Sequence, residues 1–152
     1  IAPTDRAKSA FETGLYSPEH TSRTYERLLE DAQAHLRDGR TGVVDAAFAK
    51  QAQRQPFLRL AQELAVPAVV VHLSCPDPVV FERLERRKTD PHEISDADFD
   101  VYLNVRNAFE SPEAIPPQQR LDAVSGGPIE DLVSDLLDRL VEQTEMLGPQ
   151  PA

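Results

Sequence analysis

Asp45 closes a short apolar run, Val43-Val44. A carboxylate just past a buried strand lies at the C-terminal edge of an open α/β sheet, where such folds bind ligands. There it can hold Mg2+ directly or through water, or accept a proton. A helix cap or a turn residue is the plainer role. Arg54 follows nine residues later and could reach the same sheet edge. Taken alone, it reads as a surface residue.

A second set is cationic: Arg83, Arg86, Arg87 and Lys88. Arg83 and Arg87 are four residues apart, so on a helix they share one face. Two guanidinium groups converging there could clamp a polyphosphate in bidentate fashion. The alternative is a solvated helix end pairing with Glu82 and Glu85. His20, His35, His72 and His92 show no metal-ligand spacing. His72 follows three valines in an apolar run and reads as a half-buried structural residue. Cys75 has no evident base partner and reads as a buried thiol rather than a nucleophile. No Gly-x-Ser-x-Gly elbow is present. The Gly-x-x-x-x-Gly-Lys-Ser/Thr loop is also absent: of six glycines, none precedes a lysine. No stretch of the sequence therefore offers the backbone N–H cradle that wraps a β-phosphate.

The elements that must position these groups follow from periodicity and end signals. Ile1 to Tyr16 has no clear period and reads as an arm. Ser17-Pro18-Glu19 starts a helix with Tyr25, Leu28, Leu29, Ala32 and Leu36 on one face, stopped at Gly39. Thr41 to Asp45 reads as a short buried strand. Phe57, Leu60, Ala61 and Leu64 mark a second helix, with Pro56 in its first turn or kinking it. Ala68 to Leu73 reads as a parallel strand covered on both faces. Asp77-Pro78 caps a third helix ending in Arg86-Arg87-Lys88, where cations suit the dipole. Thr89 to Ile94 is polar. Ser95 to Asp98 resembles a capping box for a helix bearing Phe99, Tyr102, Leu103 and Phe109. Ser111 to Gln118 is a proline-rich connector. Arg120 to Val124 reads as a last strand. Gly126-Gly127-Pro128 turns the chain into a final helix with Ile129, Leu132, Val133, Leu136, Leu137 and Leu140, and the tail after Leu147 frays. Strands alternating with helices imply an α/β fold, a parallel sheet flanked by helices.

The whole-chain quantities set limits. A length of 152 residues suits one domain with a sizeable core. The net charge of -10 argues against a general nucleic-acid binder, which needs clustered Lys and Arg. The single cysteine, Cys75, allows no internal disulfide and fits a reducing cytoplasm. No apolar run approaches a membrane span, and the opening residues do not read as a signal peptide.

Several stretches, taken in order, resemble the kinase-like P-loop ATPases known as AAA-type ATP-binding proteins, which occur alone or fused behind an aminoglycoside-phosphotransferase-like domain. The matching pieces are Gly14-Leu15-Tyr16-Ser17-Pro18-Glu19, Arg23-Thr24-Tyr25-Glu26-Arg27-Leu28, and Gly39 with Val43-Val44-Asp45-Ala46-Ala47-Phe48. Arg54 with Phe57, Val66-Pro67, Cys75-Pro76-Asp77-Pro78, Arg83-Leu84, Arg87 and Ser95-Asp96-Ala97 follow. The resemblance implies a fold like nucleoside monophosphate kinases, gluconate kinase and zeta toxins. It implies a single domain over 1–152, with 89–111 a lid-like insertion. It places Asp45 where a Walker-B-like or substrate-facing acid sits. Arg83 and Arg87 would lead into a lid over the ATP phosphates, to which the helix from Asp96 would belong. Ser125 to Pro128, with Gly126 and Gly127, would lie near the adenine pocket. ATP and Mg2+ are the implied cofactors. The sequence departs from the family at Ala47, where members usually carry Thr. It also departs at its start, because members begin with a βαβ unit on the order of 40 residues that holds the P-loop.

Two functions follow as expectations. The first is phosphoryl transfer from ATP to a small hydroxylated acceptor by an intact parent protein, impaired in this chain by the missing loop. The second is a non-catalytic binding or regulatory module. Under either, a homodimer or a partner domain would cover the sheet edge that the missing unit leaves open.

Overall fold

The computed structural model describes residues 18–88 and 99–148. The expected arm, the Ser17 cap, the Thr89–Ile94 segment, the Ser95–Asp98 capping box and residues 149–152 lie outside these. Helix α1 spans Pro18–Arg37, with Tyr25, Leu28, Leu29, Ala32 and Leu36 half-buried along one face. It stops as the sequence implies. Gly39 takes φ +73°, and the Gly39 and Arg40 N–H groups return to Leu36 O and His35 O at 3.0 and 3.2 Å. This is the double bond that closes orphan carbonyls at a helix end.

Helix α2, Gln51–Glu63, begins earlier than its apolar pattern suggests. Pro56 is therefore inside the helix rather than in its first turn. The residues that lengthen α2 are polar, and their N–H groups are met by side chains. Gln53 Oε1 accepts from Lys50 N at 2.9 Å, and Glu110 Oε2 accepts from Gln51 N at 2.7 Å.

Strand β1, Val70–Ser74, pairs in parallel with β2, Arg120–Val124, from Val70 opposite Arg120 to Ser74 opposite Val124. The expected strand over Thr41–Asp45 does not form. A ladder needs a neighbour to bond, and among the described residues only β1 and β2 pair. Val43 stays 93% exposed. The cover expected on both faces of β1 is also incomplete, since Val71 and Leu73 are exposed.

Helix α3, Asp77–Lys88, and helix α4, Phe99–Asn107, lie side by side. Phe81 meets the Phe99 ring edge-on, with centroids 5.4 Å apart, while Asp77 meets Tyr102 and Arg106, so the two helices run antiparallel.

 The buried core is Leu60, Ala61, Leu84, Ile115, Leu121 and Ala123. A connector with two 3-10 turns, Pro112–Ala114 and Pro117–Gln119, leads from α4 to β2. Helix α5, Ile129–Leu147, then packs back along β2. Among the described residues, no helix is long and apolar enough to cross a membrane.

Candidate functional site

The C-terminal ends of β1 and β2 lie side by side because the two strands are in register and parallel. Ser125 N donates to Ser74 O at 2.7 Å, which carries the pairing one step past the strands. The chain beyond β1, Cys75-Pro76, therefore abuts the chain beyond β2, Ser125-Gly126. A Cβ on Gly126 would stand 3.7 Å from the Pro76 ring. The Cys75 thiol donates to Ser125 O at 2.9 Å.

Arg83 enters this junction from α3. Its Nη1 lies 3.2 Å from Ser125 Oγ and 3.7 Å from Cys75 Sγ. Side chains on a helix lean toward its N-terminus, and the α3 N-terminus is at the sheet edge, so Arg83 reaches upward to that edge. Arg87 lies one turn further from the edge on the same helix and is exposed. The structure thus brings Arg83 together with Gly126 and the start of the Gly126-Gly127 turn. Gly127 has open space about its Cα.

Asp45 takes no part in the bonds of this junction. It is exposed, in the unpaired segment ahead of α2, and no hydrogen bond or ion pair joins it to Arg83 among the described residues. Arg54 departs from its reading as a surface residue, being only 5% exposed. Its Nη1 donates to Phe48 O at 2.6 Å and its Nη2 to Glu110 O at 2.8 Å. Its guanidinium also lies 5.7 Å from the Phe109 ring centre. These two bonds offset much of the cost of taking the guanidinium out of water, while its Nε is buried without a partner.

Phe48 explains what Arg54 holds. Its φ is +43°, a conformation unusual for a bulky residue. Three neighbours fix it there. Tyr25 Oη accepts the Phe48 N–H at 2.8 Å, Arg54 takes the carbonyl, and the Tyr25 and Phe57 rings meet the Phe48 ring edge-on. Strain of this kind persists only where its surroundings over-determine it. Here it shapes the turn between Asp45 and α2.

His72 is half-buried, as its place in the strand suggests. Its Nδ1 lies 3.0 Å from Asp122 Oδ1 across the ladder, and its ring stacks on Phe109 at 5.4 Å. The His72 hydrogen bond, and then the Arg120 guanidinium, hold the Asp122 carboxyl below its ordinary range.

A further cluster was not legible from spacing. Asp77, first in α3, accepts from Tyr102 Oη at 2.9 Å and forms an ion pair with Arg106, both on α4. The Arg106 bond, and then that of Tyr102, lower the Asp77 pKa. Burial first, then the Asp77 bond, raise that of Tyr102. The signal for this cluster was a tyrosine and an arginine one turn apart, but their partner lies 25 and 29 residues away.

A family model described as an AAA domain matches residues 3–112. The chain belongs to this AAA domain family. It is a P-loop kinase-like family whose members as a rule bind ATP with Mg2+. The parallel sheet with flanking helices agrees with that fold. The AAA match spans Asp45, Arg54, Arg83 and Arg87 and ends before Gly126 and Gly127. No curated protein and no solved structure matches the chain.

As an AAA domain, its own donors fit part of an ATP and Mg2+ site. Arg83 at the strand ends suits phosphate charge, and an exposed Asp45 suits a hard cation that keeps several waters. Among the described residues, no group of three or more His, Cys, Asp or Glu gathers that could hold a metal. Nor does the sequence supply a Gly-Lys-Ser/Thr loop for the β-phosphate.

Proposed function

We propose that the intact protein transfers the γ-phosphoryl group of ATP to a small hydroxylated acceptor, in the cytoplasm, and that the phosphates lie at the C-terminal edge of β1 and β2. The observation that carries this reading is the convergence of Arg83 on Ser125 at the strand ends, within a chain of the AAA family. Open α/β sheets bind ligands at that edge. Arg83 and Arg87 offset phosphate charge there, Gly126 and Gly127 border the adenine side, and Asp45 serves as the Mg2+-linked acid or the base. Arg54 acts on this site through the turn it holds, by fixing Phe48 and so the approach of Asp45. Bound ATP supplies the transferable phosphoryl group, and Mg2+ neutralises charge on it. The reading needs a β-phosphate cradle, and the 152 residues hold no Gly-x-x-x-x-Gly-Lys-Ser/Thr loop.

A second reading is favoured by one observation, that no hydrogen bond or ion pair joins Asp45 to Arg83 among the described residues. Under it the chain is a non-catalytic binding or regulatory module. Steady-state turnover of Mg-ATP by the full-length protein separates the two. Turnover that falls on Arg83→Ala, Arg87→Ala substitution supports the first reading. No turnover at all supports the second.

A further inference from the structure

We propose that Glu110 is a positioning residue for Asp45, the anchor of a brace that ties the turn after Asp45 to the Arg83 edge. The inference rests on the phosphoryl-transfer reading given above and on the place of Asp45 in it.

No ladder holds the stretch that carries Asp45, since among the described residues only β1 and β2 pair. What is fixed is the turn that follows. Phe48 keeps φ +43°, and a bulky residue stays in that region only where its neighbours hold it. Tyr25 and Arg54 hold Phe48 itself. Glu110 holds the residues beyond it.

The grip has three points. The Glu110 N–H donates to Ala49 O at 2.8 Å. Its Oε2 accepts from Gln51 N at 2.7 Å, and its carbonyl accepts from Arg54 Nη2 at 2.8 Å. The first and third use backbone groups, which any residue at this position except proline supplies. The second needs the side chain. Gln51 is the first residue of α2, where an N–H has no partner within the helix and an anion is favoured. The Glu110 carboxylate thus pins the junction of turn and helix.

The other end of the brace reaches the other half of the site. Ala108 N donates to Asn104 O at 3.1 Å and Phe109 N to Arg106 O at 3.2 Å, so helical turns run on from α4 to the residue before Glu110. Within them, Tyr102 and Arg106 hold Asp77. Asp77 follows Cys75-Pro76, and the Cys75 thiol lies 3.7 Å from Arg83 Nη1. Beside Glu110, the Phe109 ring stacks on His72 of β1 at 5.4 Å. Residues 102–110 therefore bond at one end beside the Arg83 junction and at the other to the turn after Asp45. Such a link sets how closely an acid or base at Asp45 approaches phosphates at the strand ends. A misplacement of about 1 Å can cost on the order of 100-fold in rate.

The test is steady-state turnover of radiolabelled Mg-ATP by the full-length protein and its Glu110→Ala, Glu110→Gln, Gln51→Pro and Asp45→Asn variants. Gln51→Pro removes the N–H that Glu110 accepts and leaves Glu110 in place. Proline suits the first position of a helix, so this variant decides the matter if Glu110→Ala fails to fold. In Glu110→Ala and in Gln51→Pro, kcat should fall roughly tenfold, with KM for ATP within about twofold of the parent because the Arg83 edge keeps its bonds. Glu110→Gln should retain more than about half of the parent kcat, since its amide oxygen still accepts from Gln51 N. Added to Asp45→Asn, Glu110→Ala should cost less than about twofold, because the group it positions is gone. An unchanged kcat in Glu110→Ala or in a folded Gln51→Pro, or a loss of about tenfold that persists in the Asp45→Asn background, would overturn the proposal and leave the phosphoryl-transfer reading standing. A parent without turnover, or Asp45→Asn at the parent rate, would instead overturn that reading or its use of Asp45, and the brace with it.

Discussion

Arg54 donates to two backbone carbonyls far apart in sequence, Phe48 O and Glu110 O, so its removal has a defined cost. Both acceptors would be left in a partly buried place without a donor. Charge-assisted bonds of this kind contribute roughly 1.5–3 kcal/mol each. Arg54→Met is expected to lower unfolding stability by about 3 kcal/mol in urea titration, and Arg54→Lys to recover less than half of that, because an ammonium cannot span both carbonyls. A loss below about 0.5 kcal/mol would place Arg54 outside the fold's framework. The sequence offered Arg54 only as a cation near Asp45. Its burial was not legible, because one of its partners lies 56 residues away.

Asp77 makes a prediction of sign. Its carboxyl is held below its ordinary value of 3.8, chiefly by Arg106 and then by Tyr102. A lowered folded pKa means that the α3–α4 contact gains stability from this group above the ordinary value. That gain is lost as pH falls through the folded pKa. NMR titration of the Asp77 carboxyl carbon should give a midpoint below 3.8, moving up toward that value in Arg106→Gln. A midpoint at or above it in the parent chain would contradict the assignment. The pair is exposed, so its contribution is screened by salt.

At the scale of elements, helix ends show how far local chemistry reaches. The α1 stop at Gly39 was readable because glycine tolerates positive φ. The α2 stop was not. Ala65 adopts φ +54° there, with Val66 N bonded to Ala61 O at 3.0 Å and Ala65 N to Gln62 O at 3.1 Å. The same end geometry is thus formed by a residue that disfavours it. Ala65→Gly should relieve about 1 kcal/mol of strain and raise the thermal midpoint by a few degrees. A fall in the midpoint would show that the methyl group's contacts outweigh the strain. The strands divide in the same way. β1 was legible as an apolar run and β2 as a short segment before the Gly126-Gly127 turn, and the two form a ladder, but Thr41–Asp45 has the composition of a strand without a partner to pair with among the described residues. Composition sets what a segment can do, and a neighbour decides whether it does so.

For the molecule as a whole, the parallel α/β plan was legible from the alternation of elements. Of the residues singled out in the sequence, the structure sets Arg83 beside Ser125, the neighbour of Gly126, and does not join Asp45 to them among the described residues. Arg83 meets Cys75 and Ser125 at the strand ends, because parallel register forces β1 and β2 to end together. Asp45 depends on a ladder that does not form among the described residues, so its approach to that edge was not fixed by local pattern. Phosphate binding at the Arg83 edge is the central element of the proposed function. Its most direct test is the Mg-ATP dependence of turnover by the full-length protein, comparing the parent with Arg83→Ala, Arg87→Ala. In the double variant kcat/KM for ATP is expected to fall roughly 100-fold, a loss of about 2.7 kcal/mol of transition-state stabilisation. An unchanged kcat/KM in a folded variant would contradict it.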